Sequence, residues 1–151
     1  MQASPQRIWP LLCDSHMELP AGWPFCLGMP RPIECRLPDG SGAVGGAREC
    51  VSNQGRVAQR ILQWDEPKRL RFEMVKTDLC FRDSISRLVD TFDLTPLESN
   101  QTRVTRTTEV TLAGALKPLK AIAVWFGLKS VHRYVFRNWA VMAKAAEAGC
   151  S

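Results

Sequence analysis

With 151 residues, 45% of them hydrophobic, and a formal charge of +5, the chain is sized for one domain spanning residues 1–151, whose core needs no staples. Its twenty Lys and Arg are spread without a dense cluster, which argues against a nucleic-acid partner. The six cysteines, Cys13, Cys26, Cys35, Cys50, Cys80 and Cys150, form no CxxC pair and have no His at ligand spacing; they read as reduced thiols, and no metal is expected.

The opening MQASPQRIWPLLCD holds few apolar residues, interrupted by Pro10, and is no signal peptide. No uncharged apolar run reaches the roughly eighteen residues that span a bilayer, so a soluble cytoplasmic protein is the expectation. Ser4-Pro5 is a helix start, a capping hydroxyl followed by a first-turn proline, and predicts a short helix from Pro5 to about Cys13 with Trp9 and Leu12 buried. The following LPAGWPFCLGMPRP is too rich in Pro and Gly for a long element and predicts an ordered loop with Trp23 and Phe25 pointing inward.

From Ile33 to Leu112, β-branched and aromatic runs alternate with turn clusters. They predict six antiparallel strands near 33–38, 47–53, 56–64, 69–75, 85–94 and 102–112. The joining turns fall at Asp39-Gly40, Asn53-Gln54-Gly55, Asp65-Glu66-Pro67, Thr77-Asp78 and Pro96 to Asn100. Asn100-Gln101-Thr102 matches a glycosylation sequon but reads as part of the last hairpin turn. From Leu116 to about Ala148 the chain predicts one long amphipathic helix, roughly 45 to 50 Å at about 1.5 Å per residue. A strand meander ahead of such a helix describes an α+β fold in which a curved antiparallel sheet wraps around the C-terminal helix.

This order of elements, with the phrases IWPLL, QRILQWDEPKRLRFEM and DTFDLTPLESNQTRVTRTTEV, resembles the START-like helix-grip superfamily (SRPBCC) in its polyketide cyclase/dehydrase and lipid-transport branch. The resemblance implies a first strand ahead of the helix that begins at Pro5, and this chain has no residues to make it. The sheet edge left open invites a covering loop or a second subunit, which leaves a homodimer open. The resemblance also implies a cavity for a hydrophobic or aromatic small molecule, of lipid or polyketide type, and its members include cyclases and aromatases as well as carriers.

Helical periodicity places Leu128, Val131, Val135, Trp139, Met142 and Ala146 on one gripped arc, opposite Lys129, Arg133, Arg137, Lys144 and Glu147. His132 and Asn138 fall within the apolar arc, as hydrogen-bonded core groups or as ligand contacts. Earlier in the helix, Leu119, Ile122 and Phe126 form a second stripe facing outward. Packing or dimerisation is favoured there over membrane contact, since Lys117 and Lys120 are too few to anchor the chain electrostatically.

Alternation in the last two strands puts Asp90 and Phe92 on one face and Arg106 on the facing one, directly across the hairpin, where the two charges should pair. Leu70, Phe72 and Met74 share a face opposed by Leu62 and Trp64, with Arg60 on the same side, an assignment that one bulge would reverse. Which of Arg48 and Glu49 points inward is open. The candidate ligand contacts are thus Trp23 and Phe25 from the loop, Trp64, Phe72 and Phe92 from the sheet, and Trp139 from the helix, with Asp90, Arg106, His132 and Asn138 as polar groups.

GSGAVG satisfies G-x-G-x-x-G, but the following AREC looks like a strand, so it reads as a flexible hairpin loop at the pocket mouth. HRY followed by VFRN lacks the aspartate of a kinase loop, and no nucleophile elbow presents a serine. Binding of a hydrophobic ligand is the leading expectation. An enzyme would use His132 as acid/base and Arg106 to polarise a carbonyl, with Asp90 holding Arg106 and no metal or organic cofactor. An interaction module would use the Leu119, Ile122 and Phe126 stripe.

Overall fold

The structure, a computed structural model, describes residues 1–98 and 100–148, the side chains of 146–148 excepted. The expectations for Ala146, Glu147 and Cys150 lie outside the described side chains. Helix α1 (Pro5–Cys13) starts as anticipated, with Ser4 at the cap position, but the Ser4 hydroxyl makes no capping bond. Its backbone carbonyl instead accepts from the amides of Arg7 and Ile8 at 3.1 and 3.2 Å. The buried face is Ile8, Trp9, Leu12 and Cys13, neighbours on adjacent turns of one side.

Seven strands follow in a simple meander, each antiparallel to the next: β1 (Ser15–His16), β2 (Pro32–Arg36), β3 (Ala47–Ser52), β4 (Gly55–Asp65), β5 (Arg69–Thr77), β6 (Ile85–Leu97) and β7 (Gln101–Leu112). The seventh strand relative to expectation is β1, a two-residue run hydrogen-bonded to β2 that no sequence pattern marks. Helix α2 (Lys117–Ala148) closes the concave side and buries Tyr134, Val135, Asn138, Trp139 and Ala143. The core joins α1 to the sheet and to α2 through Ile8, Leu12, Ile61, Leu70, Phe92 and Trp139. None of the described helices is long and apolar enough to cross a membrane.

Where the resemblance implies a strand ahead of α1, Met1 pairs with β7. The amine of Met1 donates to the Thr102 carbonyl at 2.7 Å, and the Thr102 amide donates back to the Met1 carbonyl at 2.9 Å. That is a single antiparallel step alongside β7, and the buried Thr102 hydroxyl fastens the next turn by donating to the Ala3 carbonyl at 2.7 Å. Beyond it β7 is an edge of the sheet among the described residues.

Three expectations are corrected. Cys35 and Cys50 are direct cross-strand partners on β2 and β3 and form a disulfide, so they are not reduced thiols, while Cys13, Cys26 and Cys80 are free. Second, the pairing of β4 with β5 jumps from Ile61 opposite Phe72 to Gln63 opposite Arg71, so Leu62 is a bulge. Ile61 therefore faces the core with Phe72, and Arg60 turns outward to Glu73, where its Nη2 donates to the carboxylate at 2.6 Å. Third, Asp90 lies opposite Thr108 and Arg106 opposite Phe92, so the acid and the base are diagonal neighbours instead of a facing pair.

Candidate functional site

Between the concave sheet and α2 lies a cavity of about 430 Å³. Period-two alternation sends Phe72, Leu88 and Phe92 into it from the strands, and one helical face supplies Val131, Val135 and Trp139. The less buried lining residues Met29, Phe81, Lys120 and Phe126 mark its open side, between the 28–32 segment, the β5–β6 connection and the front of α2. That connection is tied down by Asp78, whose carboxylate accepts from the Arg56 amide at 2.5 Å. Pairing between β5 and β6 stops at Glu73 and Val89, and the strands separate there to admit the cavity.

Two buried polar groups interrupt the apolar wall. Asp90 is 1% exposed, and Arg106 grips it with both prongs, Nε to Oδ1 at 3.0 Å and Nη2 to Oδ2 at 2.8 Å. The Thr108 hydroxyl donates to the same Oδ1, and the His132 Nε2 stands 3.3 Å from that hydroxyl. Because an ionised carboxylate only accepts, the threonine proton goes to Asp90 and its oxygen is left to accept from the imidazole, which assigns the proton of His132 to Nε2. Burial opposes ionisation of Asp90, but the charge and hydrogen bonds of Arg106, with the Thr108 hydroxyl, hold its carboxyl below the ordinary range. Burial and the nearby Arg106 charge push His132 down to about 4, so it is neutral at pH 7.

The second group is Arg48, the inward member of the pair that sequence alternation left undecided, and it is 2% exposed. Its Nε and Nη2 both donate to the Leu12 carbonyl, at 3.1 and 2.9 Å, closing the C-terminal end of α1. Nη1 donates to the Gln59 side-chain oxygen and lies 3.0 Å from Cys50 Sγ. The guanidinium sits 4.4 Å from the centre of the Phe72 ring. Burial, and then repulsion from Arg106, lower its pKa to about 10, which leaves it charged at neutral pH.

Of the sequence-predicted contacts, Phe72, Asp90, Phe92, Arg106 and Trp139 line the cavity, and Trp23, Phe25, Trp64, His132 and Asn138 do not. Trp23 does not point inward: it is 67% exposed and stands edge-on against Phe126, with ring centres 5.3 Å apart. Phe25 packs on Tyr134, and Trp64 packs on Trp9. Asn138 accepts from the Leu19 amide and donates to the Tyr134 carbonyl, both at 2.9 Å, which makes it a satisfied core group. His132 reaches the cavity wall only through Thr108, behind the Asp90–Arg106 pair. The Gly-rich loop leans on Trp64: a Cβ on Gly42 would run into that indole, and none of Gly40, Gly42 and Gly45 lines the cavity. Arg48 and Gln59 were missed as cavity residues because the inward face of their strands depends on register.

A curved antiparallel sheet closed by one long helix over an apolar cavity defines a helix-grip protein. The chain belongs to the polyketide cyclase/dehydrase and lipid transport family, whose model matches residues 1–147. Solved structures agree on the fold. A protein from Thermus thermophilus superposes with a TM-score of 0.65 at 15% identity, over 97% of this chain and 93% of its own. A Chromobacterium violaceum protein gives 0.59 at 17% identity, covering 95% and 91% of the two chains. A START superfamily protein from Mycobacterium smegmatis gives 0.54 at 13% identity, covering 91% and 92%. No curated protein matches the chain.

Proposed function

We propose that the protein binds a hydrophobic or aromatic small molecule in the cavity between the sheet and α2. One observation carries the reading: about 430 Å³ of space lined mainly by apolar side chains, with a few fixed polar groups in the wall. Small-molecule sites have this size and make-up. Family membership supports it, since both carriers and cyclases of such molecules need the cavity. The interaction-surface alternative rests mainly on Leu119 and Ile122, because Phe126, though 38% exposed, also lines the cavity rim and packs on Trp23. The enzymatic alternative loses its acid/base, because His132 stands behind Thr108 and outside the lining.

Titration with the neutral dye N-phenyl-1-naphthylamine tests the reading. Saturable fluorescence enhancement is expected, weakened at least tenfold by Val131→Trp, which fills the cavity from α2. Equal binding by the wild type and Val131→Trp would place the dye elsewhere and defeat the proposal. Native mass spectrometry of the purified protein adds a second readout, a retained ligand and its mass.

A further inference from the structure

Arg48 is a buried cation without a buried anion. Among the described residues it makes no ion pair: its hydrogen-bond partners are a backbone carbonyl, a glutamine amide oxygen and a disulfide sulfur, all neutral. The carboxylate that could serve it, Asp90, is already occupied at both oxygens by Arg106, with Thr108 on one of them. The buried part of the cavity wall thus contains two guanidinium groups and one carboxylate, an excess of one positive charge; the other lining cation, Lys120, stands at the open side and donates to the Ala113 carbonyl at 3.0 Å. His132 is neutral and does not change the sum.

A charge left this way in an apolar enclosure is costly, and native proteins offset it with a partner. Arg48 cannot turn to solvent, because its contacts with Leu12 and Gln59 and its seat over Phe72 hold it. Of the five N–H groups a guanidinium carries, four are engaged, two on Leu12 and one each on Gln59 and Cys50, so one hydrogen on Nη2 remains to donate. The residue also lines the cavity, so whatever fills that space lies against it.

Building on the ligand-binding reading above, we infer that the cavity is made for a hydrophobic monoanion, an apolar body bearing one carboxylate or an equivalent anionic oxygen, with Arg48 holding the anionic end. Arg106 is the less suited partner, since its fork is spent on Asp90. The apolar body lies along Phe72, Phe92, Val131 and Trp139. Aliphatic and aromatic acids share this chemistry, and the size of the cavity alone does not separate them.

Calorimetric titration at pH 7.5 with matched probes tests it: decanoate against decanol, and 2-naphthoate against 2-naphthol. In the wild-type protein at least one acid should bind tenfold or more tightly than its alcohol, and the pair that does so identifies the body as aliphatic or aromatic. Arg48→Lys should keep the preference and Arg48→Met should reduce it to twofold or less. The wild-type comparison stands even where Arg48→Met fails to fold. Equal binding of acid and alcohol would overturn the anionic ligand while leaving the cavity reading intact. A preference that survives Arg48→Met would remove Arg48 as its source, and binding of no probe would overturn both readings.

Discussion

Asp90 and Arg106 meet across one diagonal step of the β6–β7 ladder, joined by two hydrogen bonds and surrounded on their other sides by Thr108 and the Phe92 ring. The Asp90 side chain is 1% exposed and that of Arg106 12%, so the carboxylate has almost no water to fall back on and the guanidinium little. Removing one partner strands the other, and a broken buried pair costs about 3–5 kcal/mol. Asp90→Asn should lower the urea unfolding free energy by that amount. The double variant Asp90→Leu, Arg106→Leu should lose less than the two single changes added together. Additive losses in this cycle would mean that the pair is not coupled.

Stability should also depend on acid through His132. Its folded pKa, about 4, lies below the ordinary value of 6.5. Between these limits the unfolded chain binds the proton more readily than the folded one, so stability falls as pH drops from about 6.5 toward 4. Asp90 adds to the loss at lower pH, because its depressed pKa gives stability that is present above 3.8 and lost as pH falls through the folded value. Urea midpoints at pH 7 and pH 5 check the first part: His132→Gln should shrink the difference seen in the wild type. An unchanged difference would show that another group titrates.

The disulfide closes a loop of 15 residues between neighbouring strands. Chain-entropy reasoning gives about 3 kcal/mol for a loop of that length. Treatment with a phosphine reductant, or Cys35→Ser, should lower the unfolding free energy by roughly that amount. Mass spectrometry after alkylation without reductant should find Cys35 and Cys50 unlabelled and the exposed Cys26 and Cys80 labelled.

Gly42→Ala should destabilise the protein by about 1–3 kcal/mol, the ordinary cost of overpacking. The added methyl meets the Trp64 ring, which is itself wedged against Trp9, so the indole has to shift. A change in tryptophan fluorescence should accompany the loss. A stable Gly42→Ala protein with unaltered emission would mean that the loop yields instead.

Much of the fold was legible because the signals were local. Ser4-Pro5 started a helix, turn residues separated the strands, and helical periodicity found Val131, Val135 and Trp139. The Asp90–Arg106 pair was also legible, since two opposite charges on apolar strand faces have few other partners, though their diagonal offset depended on the length of the hairpin. What stayed hidden depended on register. The bulge at Leu62 decides whether Arg60 or Ile61 faces inward, and no residue type marks it. Cys35 and Cys50 look unrelated until the β2–β3 pairing sets them side by side. Arg48 and Glu49 necessarily point opposite ways, and the sequence does not say which is inside. Trp23 departs from the expectation that an aromatic residue in a Pro-rich loop points inward, because its ring finds apolar contact on Phe126 from outside.

Arg48 ties two parts of the molecule that the chain makes separately, the last turn of α1 and the wall of the cavity. No residue of α1 lines that cavity, yet the helix end is hydrogen-bonded to a side chain that does. Occupation of the cavity at Arg48 should therefore be felt at the amide of Asp14, which closes the helix on Pro10. Slower deuterium uptake there would let the helix report on a molecule it never touches.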